Sequence, residues 1–168
     1  MIEALALCTF AGLLIYAAIS DFRSLIISNW ISIALAGLFP IFALALGVPA
    51  ADIGLHVVFG LGVLAVGFFL FAANIFGGGD AKLLAAAAVW TGIDGFMTFA
   101  FWTALAGGLL ALALLAARHL IKQPETQPAI FHHLLKPRGG VPYGVAIMAG
   151  GLMSIPALPF GFAALTMP

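Results

Sequence analysis

The sequence predicts an all-α integral membrane protein of six transmembrane helices with both termini outside. Three observations carry that expectation. First, 64% of the 168 residues are hydrophobic and 7% are charged, against roughly 45–50% and 25% in an ordinary soluble domain. So few charges cannot cover a water-soluble globule around so much apolar surface. Second, uncharged apolar runs recur near residues 4–20, 29–47, 54–73, 81–93, 96–117 and 141–164. Roughly 20 such residues as helix cross a hydrocarbon core of about 30 Å. Third, threading the chain through all six runs puts Arg23, Lys82, Arg118, Lys122, Lys136 and Arg138 on one side of the membrane. Glu3, Asp52 and Asp94 fall on the other side. The positive-inside rule makes the basic side cytoplasmic.

Each element has its own justification. The first run follows Met1-Ile2-Glu3, which is acidic where a secretory signal needs positive charge, so it is expected to be retained. It ends at Ser20-Asp21-Phe22-Arg23. The second and third runs are divided by Gly47-Val48-Pro49, and the third ends before Asn74. The fourth, Ala81 to Ile93, is short enough for a re-entrant helix to be an alternative. In that case the loop from Arg118 to Arg138 moves outside with four of the six cations, so a full crossing is preferred. Asp94-Gly95 marks the turn into the fifth run. After it, Gln123-Pro124 and Gln127-Pro128 mark a loop, and residues 129–136 suggest a short amphipathic surface helix carrying His132 and His133. The whole chain, 1–168, reads as one membrane-embedded domain. Trp30, Trp90 and Trp102 suit interfacial anchoring or packing, and Ala104 with Gly108 or Gly140 with Gly144 suit close helix approach.

Composition also limits the chemistry. Six Lys+Arg against six Asp+Glu leave no net charge to attract nucleic acid. A single cysteine, Cys8, allows no internal disulfide and no CxxC metal site. The adjacent histidines point about 100° apart on a helix and chelate poorly, so neither metal nor cofactor is expected. What remains is a pair of carboxylates. Asp21 ends the first run, and Asp80 opens the fourth after Gly77, Gly78 and Gly79. The topology brings both to one membrane depth on the cytoplasmic side. Ionisable residues at such positions are costly and are functional candidates by default. Two close carboxylates tend to share a proton, so one activates water as a base while the other donates to a carbonyl or a leaving amine. The glycine run permits positive φ and close backbone approach, and it leaves backbone groups free to bind an extended peptide. Two alternatives stay open at this point: Asp80 as a helix cap, and Asp21 as a loop residue paired with Arg23.

Three stretches together resemble the prepilin peptidases, membrane aspartic proteases of the GxGD type. Gly77-Gly78-Gly79-Asp80-Ala81-Lys82-Leu83 is similar to the GxGD-x-K segment of that family. Asp21-Phe22-Arg23 followed by Ile26-Ile27-Ser28-Asn29 resembles its first-aspartate segment, with Ser28 where proline is common. Val141-Pro142-Tyr143-Gly144 resembles a motif that opens the last helix. The resemblance implies Asp21 and Asp80 as the catalytic pair in the bacterial inner membrane. It implies no cofactor, and a prepilin substrate with a short basic leader and a bilayer-embedded hydrophobic helix. The larger relatives carry a cysteine-rich insertion after the first span that is associated with N-methylation. Its absence here implies the small Tad/Flp type. Lys82 is expected to steady the dyad or to snorkel, and Asn29 to bond near Asp21 or to cap the second helix. Tyr143 is expected to face the site or anchor at the interface, and His56 to be structural. The rival classes are a small transporter or channel subunit using its acids for ions, and a non-catalytic scaffold.

Overall fold

The computed structural model describes residues 1–121, 134–136 and 139–159. Among these the chain is all-helical: α1 (Ile2–Ser24), α2 (Asn29–Ala45), α3 (Ala50–Ala72), α4 (Gly78–Leu120) and α5 (Tyr143–Met153), followed by a 3-10 turn (Ile155–Ala157). Three of them, α1, α3 and α4, are long and apolar enough to cross a membrane, while α2 and α5 are shorter apolar helices. Residues 122–133, including Lys122, Glu125, His132 and His133, lie outside the described residues, as do Pro137, Arg138 and the last part of the sixth run from residue 160.

Helical periodicity decides which side chains meet. On α1 the buried residues Ala6, Phe10, Leu14, Ala17 and Asp21 follow steps of four, four, three and four. They form one inward stripe, so the carboxylate of Asp21 is carried into the packed face. On α2 the stripe is Ile31, Leu35, Phe39 and Ala43. α3 buries only Ile53, Gly60 and Gly67, a narrow seam, and exposes Leu55, Val58, Phe68 and Phe69 on its outer face. Such an apolar exterior suits lipid and not water.

α4 lies at the centre and contains a break. Its 43 residues would extend about 65 Å as one rod, twice the hydrocarbon thickness. At Gly92 the backbone adopts φ 60 and ψ −172, and the contacts on either side show that the chain turns back. Before it, Ala81 packs on Gly67 and Val89 on Gly60, antiparallel to α3. After it, Gly95 meets Ala157, Gly150 meets Phe99 and Thr103, and Gly107 meets Tyr143 and Ala146, antiparallel to α5. Tyr143 also touches Phe76, at 5.7 Å between ring centroids, so the two ends of the hairpin stand at one level. The turn expected at Asp94-Gly95 is therefore three residues too late. Asp94 and Gly95 are helical, and the reversal falls where only a glycine fits the backbone.

One packing expectation is also corrected. A side chain at Gly108 would meet nothing within 4 Å, so close helix approach uses Gly60, Gly67, Gly107 and Gly150, together with Gly144 of the second expected pair. Of the two uses open to Trp90, the structure shows packing: it is fully buried. Its ring packs on Phe10 at 5.0 Å and on Phe39 at 5.7 Å, and its indole N–H donates to the Leu35 carbonyl at 2.7 Å. We expect Trp90→Phe to cost about 1–3 kcal/mol for the lost buried hydrogen bond and unfilled volume. Denaturant unfolding in detergent micelles reads this directly, and unchanged stability would contradict the central role of the ring.

His56 is structural, as expected. Its Nδ1 donates to the Val89 carbonyl at 2.8 Å, and its ring stacks on Phe39 at 4.9 Å. Ser28 precedes α2 with φ −66, close to the angle a proline ring imposes. The departure from proline thus leaves the turn geometry intact.

Candidate active site

The two aspartates reach the same end of the bundle by different routes. Asp21 arrives on the inward stripe of α1 and is 4% exposed. Its Oδ2 accepts a 2.6 Å hydrogen bond from the backbone N–H of Gly144. Gly144 is the second residue of α5, where helical N–H groups have no partner within their own helix. Asp21 therefore supplies from α1 the acceptor that α5 lacks, at the helix end where a negative charge is favoured.

Asp80 is half-buried in the first turn of α4. It does not cap that helix: Gly77 holds the cap position, and no side-chain cap bond forms. Asp80 lies within electrostatic reach of Asp21. Both line one cavity of about 400 Å³, closed by Leu25, Asn74, Gly77 and Tyr143. Tyr143 thus faces the site through its ring. Arg23 is exposed, so Asp21 is not the solvated loop residue that one alternative required.

The glycine run acts by absence of bulk. None of Gly77, Gly78 and Gly79 has positive φ, contrary to the conformational use expected of them. A Cβ at Gly77 would stand 2.5 Å from Asp80 Oδ2, one at Gly78 3.3 Å from the Phe71 ring, and one at Gly79 3.2 Å from Ile27 Cβ. Gly77 makes room for the carboxylate itself, and Gly79 lets the α1–α2 turn pass beneath α4. Positive φ occurs instead at Leu25 (φ 54) and Asn74 (φ 57), both at the cavity wall. Each ends the helix that leads to the site.

Lys82 and Asn29 do not join the aspartates. Lys82 Nζ donates to Asn29 Oδ1 at 3.0 Å, and the pair stands over a different groove between α2, α3 and α4. Two residues along a helix turn the side chain by about 200°, which carries Lys82 away from the face of Asp80. Ser28, not Asn29, occupies the cap position of α2.

Sequence reasoning missed two contributors. One is the Gly144 amide, for which the glycine at the start of the last helix was the available signal. The other is Arg118 near the end of α4. Its Nε–H donates to Leu134 O at 2.8 Å, and Nη2 donates to Gly139 O at 2.8 Å and Gly140 O at 3.0 Å. This clamp fixes the chain immediately before the helix that holds Asp21.

A Cβ on Gly144 would stand 2.9 Å from Asp21 Cβ and 3.0 Å from Oδ2. Gly144→Ala is therefore expected to displace the carboxylate, to lower any activity that depends on it by about 10²-fold, the scale of a 1 Å misplacement, and to destabilise by about 1–3 kcal/mol through overpacking. Steady-state cleavage rates against thermal melts check this.

No curated protein and no solved structure matches the chain. Residues 8–112, which contain both aspartates and most of α1 to α4, match the model of the Type IV leader peptidase family. On that match over more than half of its length, this helical membrane protein belongs to the type IV leader peptidase family and is a protease of the prepilin peptidase kind.

Proposed function

We propose that the chain is an aspartic endopeptidase that removes the short basic leader from type IV prepilins of the Flp-like class. It acts at the cytoplasmic face of the bacterial inner membrane, with Asp21 and Asp80 as the water-activating pair. The observation that carries this reading is the cavity shared by two carboxylates from separate helices, in a chain of this family.

On this reading the two acids divide the labour. Oδ2 of Asp21 is occupied as an acceptor by the Gly144 N–H, which fixes the carboxylate and leaves Oδ1 to take a proton from water. Asp80, on the facing wall, holds the shared proton and donates it to the scissile carbonyl oxygen as the hydroxide adds to carbon. The resulting gem-diol collapses when the proton held by Asp21 passes to the leaving amine and Asp80 takes back a proton from one gem-diol hydroxyl, which leaves the carboxylic acid and restores both acids. An extended leader lies along the Asn74–Gly77 connection, which lines the cavity beside Asp80.

The hairpin at Gly92 supports six membrane crossings, with α4 supplying two. The ends of the described chain, Met1 and the 3-10 turn, then lie opposite the aspartates, and Arg23, Lys82, Arg118 and Lys136 share the aspartate side. The acids stand at helix ends and not at mid-membrane depth, which disfavours the ion-transport reading. Only a few residues join α1 to α2, so N-methylation by this chain has no support.

Reconstitution with a prepilin bearing a basic leader tests the proposal. The expected product is shortened at its N-terminus, with a single new terminus by mass spectrometry. A substrate left full-length by well-folded protein in native-like lipid would refute it.

A further inference from the structure

The groove beneath Lys82 is separate from the aspartate cavity and lies on the other face of α4. It measures about 440 Å³, within the range of small-molecule sites of roughly 300–1,000 Å³. Its polarity is graded. Asn29 and Lys82 stand at the end nearest the aspartate level, and Ser32 follows one turn further along α2. The remaining wall is aliphatic, including Ala36, Val57 and Leu61.

Three features of the groove point to a ligand with one polar end. Lys82 places an exposed cation at its mouth, held in position by its hydrogen bond to Asn29. Ser32 is 7% exposed, and its hydroxyl has no hydrogen-bond partner among the described residues. A buried hydroxyl without a partner is a cost that a bound acceptor would relieve. Beyond it the channel offers nothing but aliphatic contact.

We propose that this groove binds one anionic phospholipid. Its phosphate sits at Lys82, Asn29 and Ser32, and an acyl chain runs along Ala36, Val57 and Leu61. A negative headgroup complements Lys82, and a volume of about 440 Å³ suits one acyl chain and part of a headgroup. The bilayer on the aspartate side supplies such a molecule at the required depth, because Lys82 stands at the helix end where headgroups lie. The lipid would brace α2 and α3 against the first half of α4, which carries Asp80, without entering the cavity where proteolysis occurs.

Native mass spectrometry of the purified full chain tests this with phosphatidylglycerol and phosphatidylcholine as probes. One phosphatidylglycerol per monomer should be retained in preference to phosphatidylcholine. Lys82→Gln should reduce that preference about fivefold, the scale of one lysine at an anionic surface, and Lys82→Arg should keep it. Ala36→Phe should abolish retention of either lipid by filling the channel. If that variant does not fold, Leu61→Trp closes the channel from the α3 side.

Equal retention of the two lipids by the unmodified protein would overturn the proposal. So would full retention by a folded, channel-filled variant. A photo-crosslinker at Ile33 that captured a prepilin helix in place of lipid would also overturn it, by assigning the groove to substrate. The lipid readout is independent of cleavage, so its failure is distinguishable from failure of the proteolytic reading.

Discussion

Asp21→Asn and Asp80→Asn should each lower prepilin cleavage by at least about 10³-fold, within the range that positioned acids and bases contribute. Asparagine keeps the shape of the carboxylate and removes its ability to take or give a proton. At position 21 the amide oxygen can still accept from the Gly144 N–H, so α5 keeps its cap and the protein should insert and accumulate normally. At position 80 the amide replaces a group that caps nothing and packs over Gly77, and the bundle is again expected to stand. The double variant should be no slower than either single one, because each change disables the same proton-sharing unit. Quantified cleavage of a co-expressed prepilin, normalised to enzyme abundance, is the measurement. Full processing by either folded variant would remove the dyad from the mechanism, whereas multiplicative losses would mean that the two carboxylates act in separate steps.

The largest expected effect on stability is at Gly92. Its φ of 60 with ψ of −172 lies in a region essentially closed to residues with a Cβ, at a cost of about 1–3 kcal/mol. A Cβ there would also overlap the imidazole of His56. That ring cannot readily withdraw, because it is bonded to Val89 O and stacked on Phe39. Gly92→Ala is therefore expected to destabilise by about 3 kcal/mol or more, strain and overlap adding. Pairing it with His56→Ala separates the two causes: the overlap disappears and the backbone strain remains. Gly62→Ala, where a side chain would meet open space, is the matched control and should cost nothing. Equal melting temperatures for Gly92→Ala and Gly62→Ala would show that the reversal does not depend on this glycine.

What the sequence disclosed follows from where charge is scarce. Asp21 and Asp80 could be singled out because a membrane chain tolerates few acids, and each closes or opens an apolar run. The α1, α2 and α3 boundaries were legible for the same reason, to within about four residues at each end. The α4 hairpin was legible as two runs but was misplaced. Asp94-Gly95 carries the polar signal of a turn, yet Asp94 simply points outward from a continuing helix, whereas Gly92 sits in apolar surroundings with no polar marker. The Gly144 amide was hidden because a backbone N–H has no side-chain signature, and its partner lies 123 residues away. Of the two roles open to Lys82, nearness in sequence suggests the one at the dyad, and helical rotation carries the side chain away from it. Of the two uses expected of the glycines before Asp80, positive φ does not occur and close approach does: carboxylate, aromatic ring and a neighbouring turn occupy the space their side chains would take.

The inward stripe of α1 ties catalysis to helical phase. Ala6, Phe10, Leu14 and Ala17 fix the azimuth of that helix, and Asp21 inherits it. Adding or removing one residue between Ala6 and Asp21 would rotate the carboxylate by about 100° and swing it off the α5 terminus towards lipid, even if every apolar contact re-formed. Beyond Ser24 no such constraint holds, since the left-handed Leu25 has already ended the helix. Chain added there changes the connection to α2 without turning the acid. The first helix thus acts as an indexed shaft: its length is quantised upstream of the aspartate and free downstream.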